Sequence, residues 1–396
     1  MFASAEITDA RLDIAQEQTP SSAAAHALSW LSLVSGEFFR EPRRASFFDH
    51  RKAADRLLLE NLREVRRQLH EGDDRSERPP LDYDTIHDLL ARLMFMQFLA
   101  DRRDEGGRAA LNPEFLEQRR SDGTLSQSYP DFCGVLESKT DTYRLFGWLN
   151  HKFNGDLFPN EAERGAEERR VDPSHLRFLA SFIKGDIALR QGQRLLWKHY
   201  SFDVIPLEFI SSIYEEFVRR GDADAPTGVV YTPGHLVDFI LDGVLPWDES
   251  EWKVTILDPA CGSGIFLVKA YQRLVHRWKV AHPSRRPSAD TLRGILEERL
   301  FGIDTEEGAV RVASFSLYLA MCDEIDPKRY WTSVRFPRLR GQNIRRQDFL
   351  GVTARPLRCQ GEEGLTGDEV TVRIEACRFP LDAILLERFP LAADPH

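Results

Sequence analysis

The stretch "VTILDPACGSGIFLVKAYQRL", from Val254 to Leu274, sets an acid and two close glycines between an apolar strand-like run and an amphipathic helix-like run. A strand that ends at Asp258 and turns through "PACGSG" into a helix opens a cleft at the carboxyl edge of a sheet, where ligands of doubly wound folds bind. Gly262 and Gly264 carry no Cβ, so the backbone there can approach a ligand closely and offer it N–H groups. A dinucleotide fingerprint would place a third glycine three residues after Gly264, where this chain has Leu267. A P-loop would end in Gly-Lys-Ser or Gly-Lys-Thr, which the chain lacks. Asp258 itself repels a phosphate but pairs with an ammonium group. The chemistry expected is the holding of a ligand with a positive group and no phosphate at the turn. S-adenosylmethionine satisfies both conditions, with its ammonium near the turn and its ribose further along the sheet edge. Asp304, ending the next strand-like run in "FGIDTEE", is placed to accept both ribose hydroxyls, and an acid there serves equally as an ordinary helix cap.

These residues need a sheet to hold them. "KVTILD", "GIFLVKAYQRLVHRW", "LFGIDT" and "EEGAVRVASFSLYLAMCDE" alternate strand and helix patterns, the signature of a parallel, doubly wound sheet. Upstream, "YSFDVIPLEFISSIYEEFVRR" reads as a helix with Leu207, Ile210, Ile213, Tyr214 and Phe217 on one face. A polar loop follows, and a new helix starts after "YTP", with Thr232 as its cap and Pro233 in its first turn. From the start to about Tyr200 the pattern is helix after helix. "RKAADRLLLENLREVRRQL" and "DTIHDLLARLMFMQFLADRR" place apolar residues three and four apart, with charges on the opposite face. The organisation expected is a helical domain over 1–200, a helical connector over 201–246, the sheet over 247–350 and a tail over 351–396. In that tail "EVTVRIEACRF" suits a strand and "PLDAILLERF" a helix lying across it.

One motif competes with this reading. "YPDFCGVLESK" sets Asp131 before Glu137, Ser138 and Lys139, the order of the metal-binding carboxylates and lysine in many restriction nucleases. That site needs its acids on adjacent strands converging on a divalent cation. The five residues between Asp131 and Glu137 leave no room for the hairpin, and the surroundings are helical, so a surface loop is expected.

The bulk properties narrow the partner less than the motif does. The 396 residues suffice for two to three domains. The chain has no apolar run long enough to span a membrane, and its first residues carry acids where a secretory leader carries bases. A cytoplasmic protein is expected. Its five cysteines show no paired spacing for zinc or a disulfide framework. The net charge of -10 disfavours non-specific attraction to a polyanion, although "REPRRASFFDHRKAADR" and "RFPRLRGQNIRRQ" are locally basic.

"DPACGSG", preceded by "GVVYTP" and followed by "FGIDTEEGAVRVASFSLYLA", resembles the N6-adenine DNA methyltransferases of restriction-modification and related phage-defence systems. The order of motifs is similar to that of Type I modification subunits and of the fused Type IIG and IIL enzymes. "IHDLLARLMFMQFLADRR", "LFGWLNHKFNGDLFP" and "FDVIPLEFISSIYEEF" resemble the helical segment that precedes the methyltransferase in the fused enzymes. The resemblance implies an all-helical N-terminal domain followed by a partial Rossmann-like class I methyltransferase sheet that binds S-adenosylmethionine. Tyr231 and Thr232 would line the cofactor pocket, and Asp258, Ala260, Gly262 and Gly264 would surround the methionine part. Asp304 would take the ribose. In "NIRRQDFL" Asp348 would accept from the adenine amino group of the cofactor, with Phe349 as a stacking neighbour.

The chain departs from that family where methyl transfer occurs. An Asn or Asp followed by Pro-Pro and an aromatic residue should follow Asp348, to hold the adenine N6 in line with the sulfonium methyl while the ring stacks on the flipped base. No Asn follows Asn343, and neither Asn-Pro-Pro nor Asp-Pro-Pro occurs in the chain. No catalytic residue is therefore assigned, and no later region suits target recognition. Three accounts follow: a split enzyme completed by a second polypeptide, a truncation, or an inactive scaffold or cofactor-sensing subunit of a defence complex. The expected partners are double-stranded DNA and a completing polypeptide or a specificity or restriction subunit, with no membrane. A methyltransferase acting on RNA or on protein is the enzymatic alternative.

Overall fold

The computed structural model describes residues 54–73, 77–153, 155–185, 232, 234–349 and 383–384, which belong to two compact units. The first unit takes Met1–Trp148 and Pro159–Phe209, the second Leu149–Phe158 and Ile210–His396.

The described part of the first unit is helical: α1 (Ala54–Glu71), α2 (Tyr83–Asp101), α3 (Pro113–Ser121), α4 (Phe132–Leu136), α5 (Lys139–Phe153), α6 (Glu161–Arg170) and α7 (Pro173–Lys184). The last turn of α5 belongs to the second unit. Short polar side chains start the helices. Asp82, Asn112, Asp131, Asn160 and Asp172 each accept a backbone N–H of the first turn that has no partner inside the helix. Pro113 and Pro173 open α3 and α7, and Gly185 closes α7 in the left-handed region at φ 77°.

In α1, Leu58, Leu62, Val65 and Leu69 are buried at spacings of four, three and four, as an amphipathic helix requires. α2 differs from the expectation of a charged outer face. It is buried on nearly all sides, Arg92 and His87 included. The charge of Arg92 is met by Glu167 of α6 at 2.6 Å, and the Tyr143 hydroxyl donates to the same carboxylate at 3.0 Å. A central helix can carry a guanidinium because its counter-ion is buried with it.

The described part of the second unit holds four parallel strands, β1 (Ile256–Asp258), β2 (Leu300–Asp304), β3 (Ile344–Arg346) and β4 (Ala383–Ile384), in the spatial order β3-β2-β1-β4. Parallel neighbours need crossovers, and helices supply them: α9 (Ile265–Ala281) and α10 (Ala289–Arg299) between β1 and β2, then α11 (Glu307–Asp323) and the short α12 (Tyr330–Ser333) between β2 and β3. α8 (Gly234–Val244) precedes β1. The strands read as unbroken apolar runs because both faces are covered, and Ile256, Leu257, Leu300 and Ile303 are all buried. Asn343, the last asparagine in the chain, is buried with its amide donating to the carbonyls of Glu297 at 2.8 Å and Leu300 at 3.0 Å, closing α10.

One expectation for the tail is corrected. Ala383 and Ile384, within "PLDAILLERF", do not belong to a helix: they form β4, in register with Ile256 and Leu257 of β1. A four-residue apolar run fits a buried strand as well as a helix, and β1 would otherwise be an open edge. The segment "EVTVRIEACRF" lies outside the described residues, as do residues 1–53 and the helix read over Leu207–Phe217. Among the described residues no helix is long and apolar enough to cross a membrane.

The turn after α5 packs within this second unit. Asp156 accepts through Oδ2 from the Tyr318 hydroxyl at 2.9 Å and from the backbone N–H groups of Leu339 and Arg340 at 2.8 and 2.9 Å. A Cβ on Gly155 would lie 2.8 Å from that of Phe336, so glycine is required for this approach. The loop leading into β3 is thereby fixed.

Candidate functional site

The glycine turn joins β1 to α9 under two constraints that sequence alone cannot weigh. Gly262 and Gly264 adopt φ 51° and 83°, the region in which a Cβ is strained. A Cβ on Gly264 would also sit 2.9 Å from both Cα and Cβ of Ala313 in α11. Gly302 of β2 has the same role from below, where a Cβ would meet Leu267 at 2.9 Å and the Cys261 sulfur at 3.0 Å. The turn is thus seated between α11 and β2 with no room for a side chain at Gly264 or at Gly302 beneath it.

Its backbone is tied to the neighbouring strand. Cys261 N–H donates to the Ile303 carbonyl at 2.9 Å, and Gly262 N–H donates to Asp304 Oδ2 at 2.9 Å. Asp304 Oδ1 accepts from Glu306 N–H at 2.9 Å, at the start of α11. The carboxylate therefore ties the glycine turn to the residue that precedes α11, whose start has no side-chain cap of its own. A carboxylate oxygen accepts more than one hydrogen bond, so these contacts and ribose binding are compatible.

The acids read from the sequence arrive at one edge of the sheet. Asp258 is in register with Gly302, two residues before Asp304. Asp304 is in register with Arg346, two residues before Asp348. The three carboxylates thus follow the carboxyl ends of β1, β2 and β3, with adjacent strands about 4.8 Å apart. Asp258 is buried, with Oδ1 accepting from Ala260 N–H at 3.1 Å, whereas Asp348 and Ala260 are exposed. Burial, reinforced by the charges of Asp258 and Asp304, pushes the Cys261 thiol far above its ordinary range. It stays protonated and is no nucleophile.

Thr232 is buried just ahead of α8, which begins at Gly234 after "YTP". Tyr231 lies outside the described residues. α8 runs parallel to α9: Gly234 lies beside Lys269, Asp238 pairs with Lys269 at 3.0 Å, Asp242 with Arg273 at 2.8 Å, and Glu249 beyond α8 with Arg277 at 2.9 Å. The amino end of α8 is accordingly beside the first turns of α9, next to the glycine turn. The row Lys269, Arg273 and Arg277 was missed from sequence, although its four-residue spacing marks one helix face.

The nuclease-like motif forms no metal centre. Asp131 caps α4 by accepting Gly134 N–H at 2.9 Å, and Glu137 pairs with Lys184. Neither lies on a strand. Among the described residues no cluster of histidine, cysteine and carboxylate side chains is placed to hold a metal ion.

Comparison with known proteins shows what this arrangement is similar to. Residues 248–334, which span β1, the glycine turn, β2 and α11, match the family model of the MmeI DNA-methyltransferase domain. The type II restriction enzyme and methyltransferase RM.BcgI of Heyndrickxia coagulans is 29% identical over 113 residues, 28% of this chain and 16% of that protein. The putative type II restriction enzyme and methyltransferase RM.MjaORFECS2P of Methanocaldococcus jannaschii is 36% identical over 77 residues, 19% of this chain and 6% of that protein. The matched region thus spans a small part of either relative. The solved structure of the Type IIL restriction-modification enzyme MmeI in complex with DNA aligns with 70% of this chain and 37% of its own at 15% identity and a TM-score of 0.37, a likeness too loose to bear on the site. Over residues 248–334, and over the stretches shared with the two curated relatives, the chain is similar to the methyltransferases of restriction-modification enzymes.

Proposed function

We propose that this chain is the S-adenosylmethionine-binding portion of an adenine-N6 DNA methyltransferase in a restriction-modification or phage-defence system. The observation that carries the reading is the convergence of a turn with left-handed glycines at 262 and 264 with Asp258 and Asp304 at the carboxyl edge of a parallel sheet. S-adenosylmethionine supplies an activated methyl group on its sulfonium. The chain's own residues bind and orient it. Asp258 attracts the ammonium, the turn around Ala260, Gly262 and Gly264 admits the methionine backbone, and Asp304 accepts ribose hydroxyls. Asp348 follows the next strand, where the adenine amino group is to be met. Thr232 and Tyr231 close the pocket from the amino end of α8.

Methyl transfer requires a further group that holds the target amine in line with the methyl. No Asn-Pro-Pro or Asp-Pro-Pro is present, so a second polypeptide or a region beyond these residues supplies it, together with recognition of double-stranded DNA. A ligand panel followed by thermal shift tests the reading. S-adenosylmethionine and its demethylated product should raise the melting temperature, since a ligand that binds only the folded state stabilises it. NAD and ATP should not. Stabilisation by the phosphate-bearing ligands alone would overturn the assignment.

A further inference from the structure

α9 does more than follow the glycine turn. Its Lys269, Arg273 and Arg277, four residues apart, form one row along α8 and the loop after it. Arg273 and Arg277 have exposures of only 0% and 1%, which is rare for arginine unless its donors are used. Arg273 donates to the carbonyls of Leu245 at 2.9 Å and Asp238 at 3.2 Å, and its guanidinium stands 4.9 Å from the Trp247 ring centre. Arg277 donates to Pro246 at 2.6 Å and to Glu251 at 2.9 Å. The Leu245 carbonyl stands one residue past the end of α8, where the helix itself supplies no donor. Lys269, nearest the turn, holds Asp238 at 3.0 Å.

An apolar contact would suffice to pack two helices, and it would tolerate sliding. Three cations, each engaging its own acid, with two of them also engaging particular carbonyls, fix one register. We infer that Lys269, Arg273 and Arg277 are positioning residues that set α8 along α9, so that Thr232 is presented to the glycine turn. Lys269 stands five residues beyond Gly264, roughly 7–8 Å along the helix axis, so a shift of α8 by one turn, about 5.4 Å, would carry Thr232 away from the ligand. This inference rests on the proposed S-adenosylmethionine site, which Thr232 is taken to line.

The test is a double-mutant cycle on the full chain, with S-adenosylmethionine binding measured by calorimetry. Lys269→Met and Arg273→Met should each weaken binding about tenfold. In a Thr232→Ala background the same changes should weaken it less than about twofold, because the contact they position is gone. Leu292→Ala, a buried lesion in α10, controls for destabilisation and should leave affinity unchanged. Effects on affinity that match the control, or that multiply independently of Thr232→Ala, would overturn the inference. Hydrogen exchange separates this outcome from failure of the site itself. If the unaltered chain binds no S-adenosylmethionine, the proposed function falls. The row is then judged by the amides of Gly234–Leu241, which should exchange at least tenfold faster in Arg273→Met and in the milder Arg277→Lys. Unchanged exchange there would refute it.

Discussion

Gly264→Ala tests the architecture of the turn in a way that separates two physical causes. The backbone at Gly264 has φ 83°, and a Cβ would stand 2.9 Å from both Cα and Cβ of Ala313. The conformational cost of an alanine in the left-handed region is about 1–2 kcal/mol. Crowding against a packed helix costs a further 1–3 kcal/mol or so, giving a sum of about 2–5 kcal/mol. Gly341 provides the reference, with φ 74° and nothing within 4 Å of its would-be Cβ. Gly341→Ala should therefore cost only the first contribution. Urea unfolding of both variants, at equal slope, gives the difference directly. Ala313→Gly should restore part of the loss in Gly264→Ala, the part due to the Ala313 methyl, while crowding against the α11 backbone persists. It should restore none of the loss in Gly341→Ala. If Gly264→Ala is no more destabilising than Gly341→Ala, the close seating of the turn on α11 is wrong.

Further outcomes follow from the two units. Glu167→Ala leaves the buried Arg92 guanidinium without its 2.6 Å partner, and should destabilise the helical unit by about 3–5 kcal/mol, read from its urea midpoint. Burial holds the His175 imidazole below its usual pKa, and its Nδ1 accepts from Asp172 N–H at 2.8 Å while Nε2 faces the Pro79 carbonyl at 2.8 Å. The unfolded state thus takes up the proton first, so stability should fall as pH drops through about 6.5; His175→Gln should flatten that part of the urea-midpoint profile. Removing the residues after Leu350 deletes β4 and bares the edge of β1, so the truncated chain should self-associate in light scattering, and a stable monomer would count against the pairing.

Much of the fold is legible because it is encoded locally. The alternation of apolar runs and helical periods announces the parallel sheet, and two glycines after an acid announce the turn. What was not legible depends on partners distant in sequence. Arg92 reads as an exposed face until Glu167, on another helix, is seen buried beside it. The row of Lys269, Arg273 and Arg277 has clear spacing, but spacing does not say that carbonyls of Asp238, Leu245, Pro246 and Glu251 await it. "AILL" is too short for its period to distinguish strand from helix, and only the edge of β1 decides the matter. Asp304 shows a further limit, since the same carboxylate holds the backbone of Glu306 and of Gly262 and stands where a ribose is proposed to bind.

The central claim is that Asp258 and the glycine turn hold S-adenosylmethionine. Isothermal titration of the full chain with this ligand, set beside Asp258→Ala, tests it most directly. The account predicts a saturable heat with one site per unaltered chain, and at least a hundredfold weaker binding once Asp258 is removed, the loss of one charge-assisted contact of roughly 3 kcal/mol. An unaltered chain that is folded and gives no heat at millimolar ligand, or an Asp258→Ala variant that binds as tightly, would contradict it.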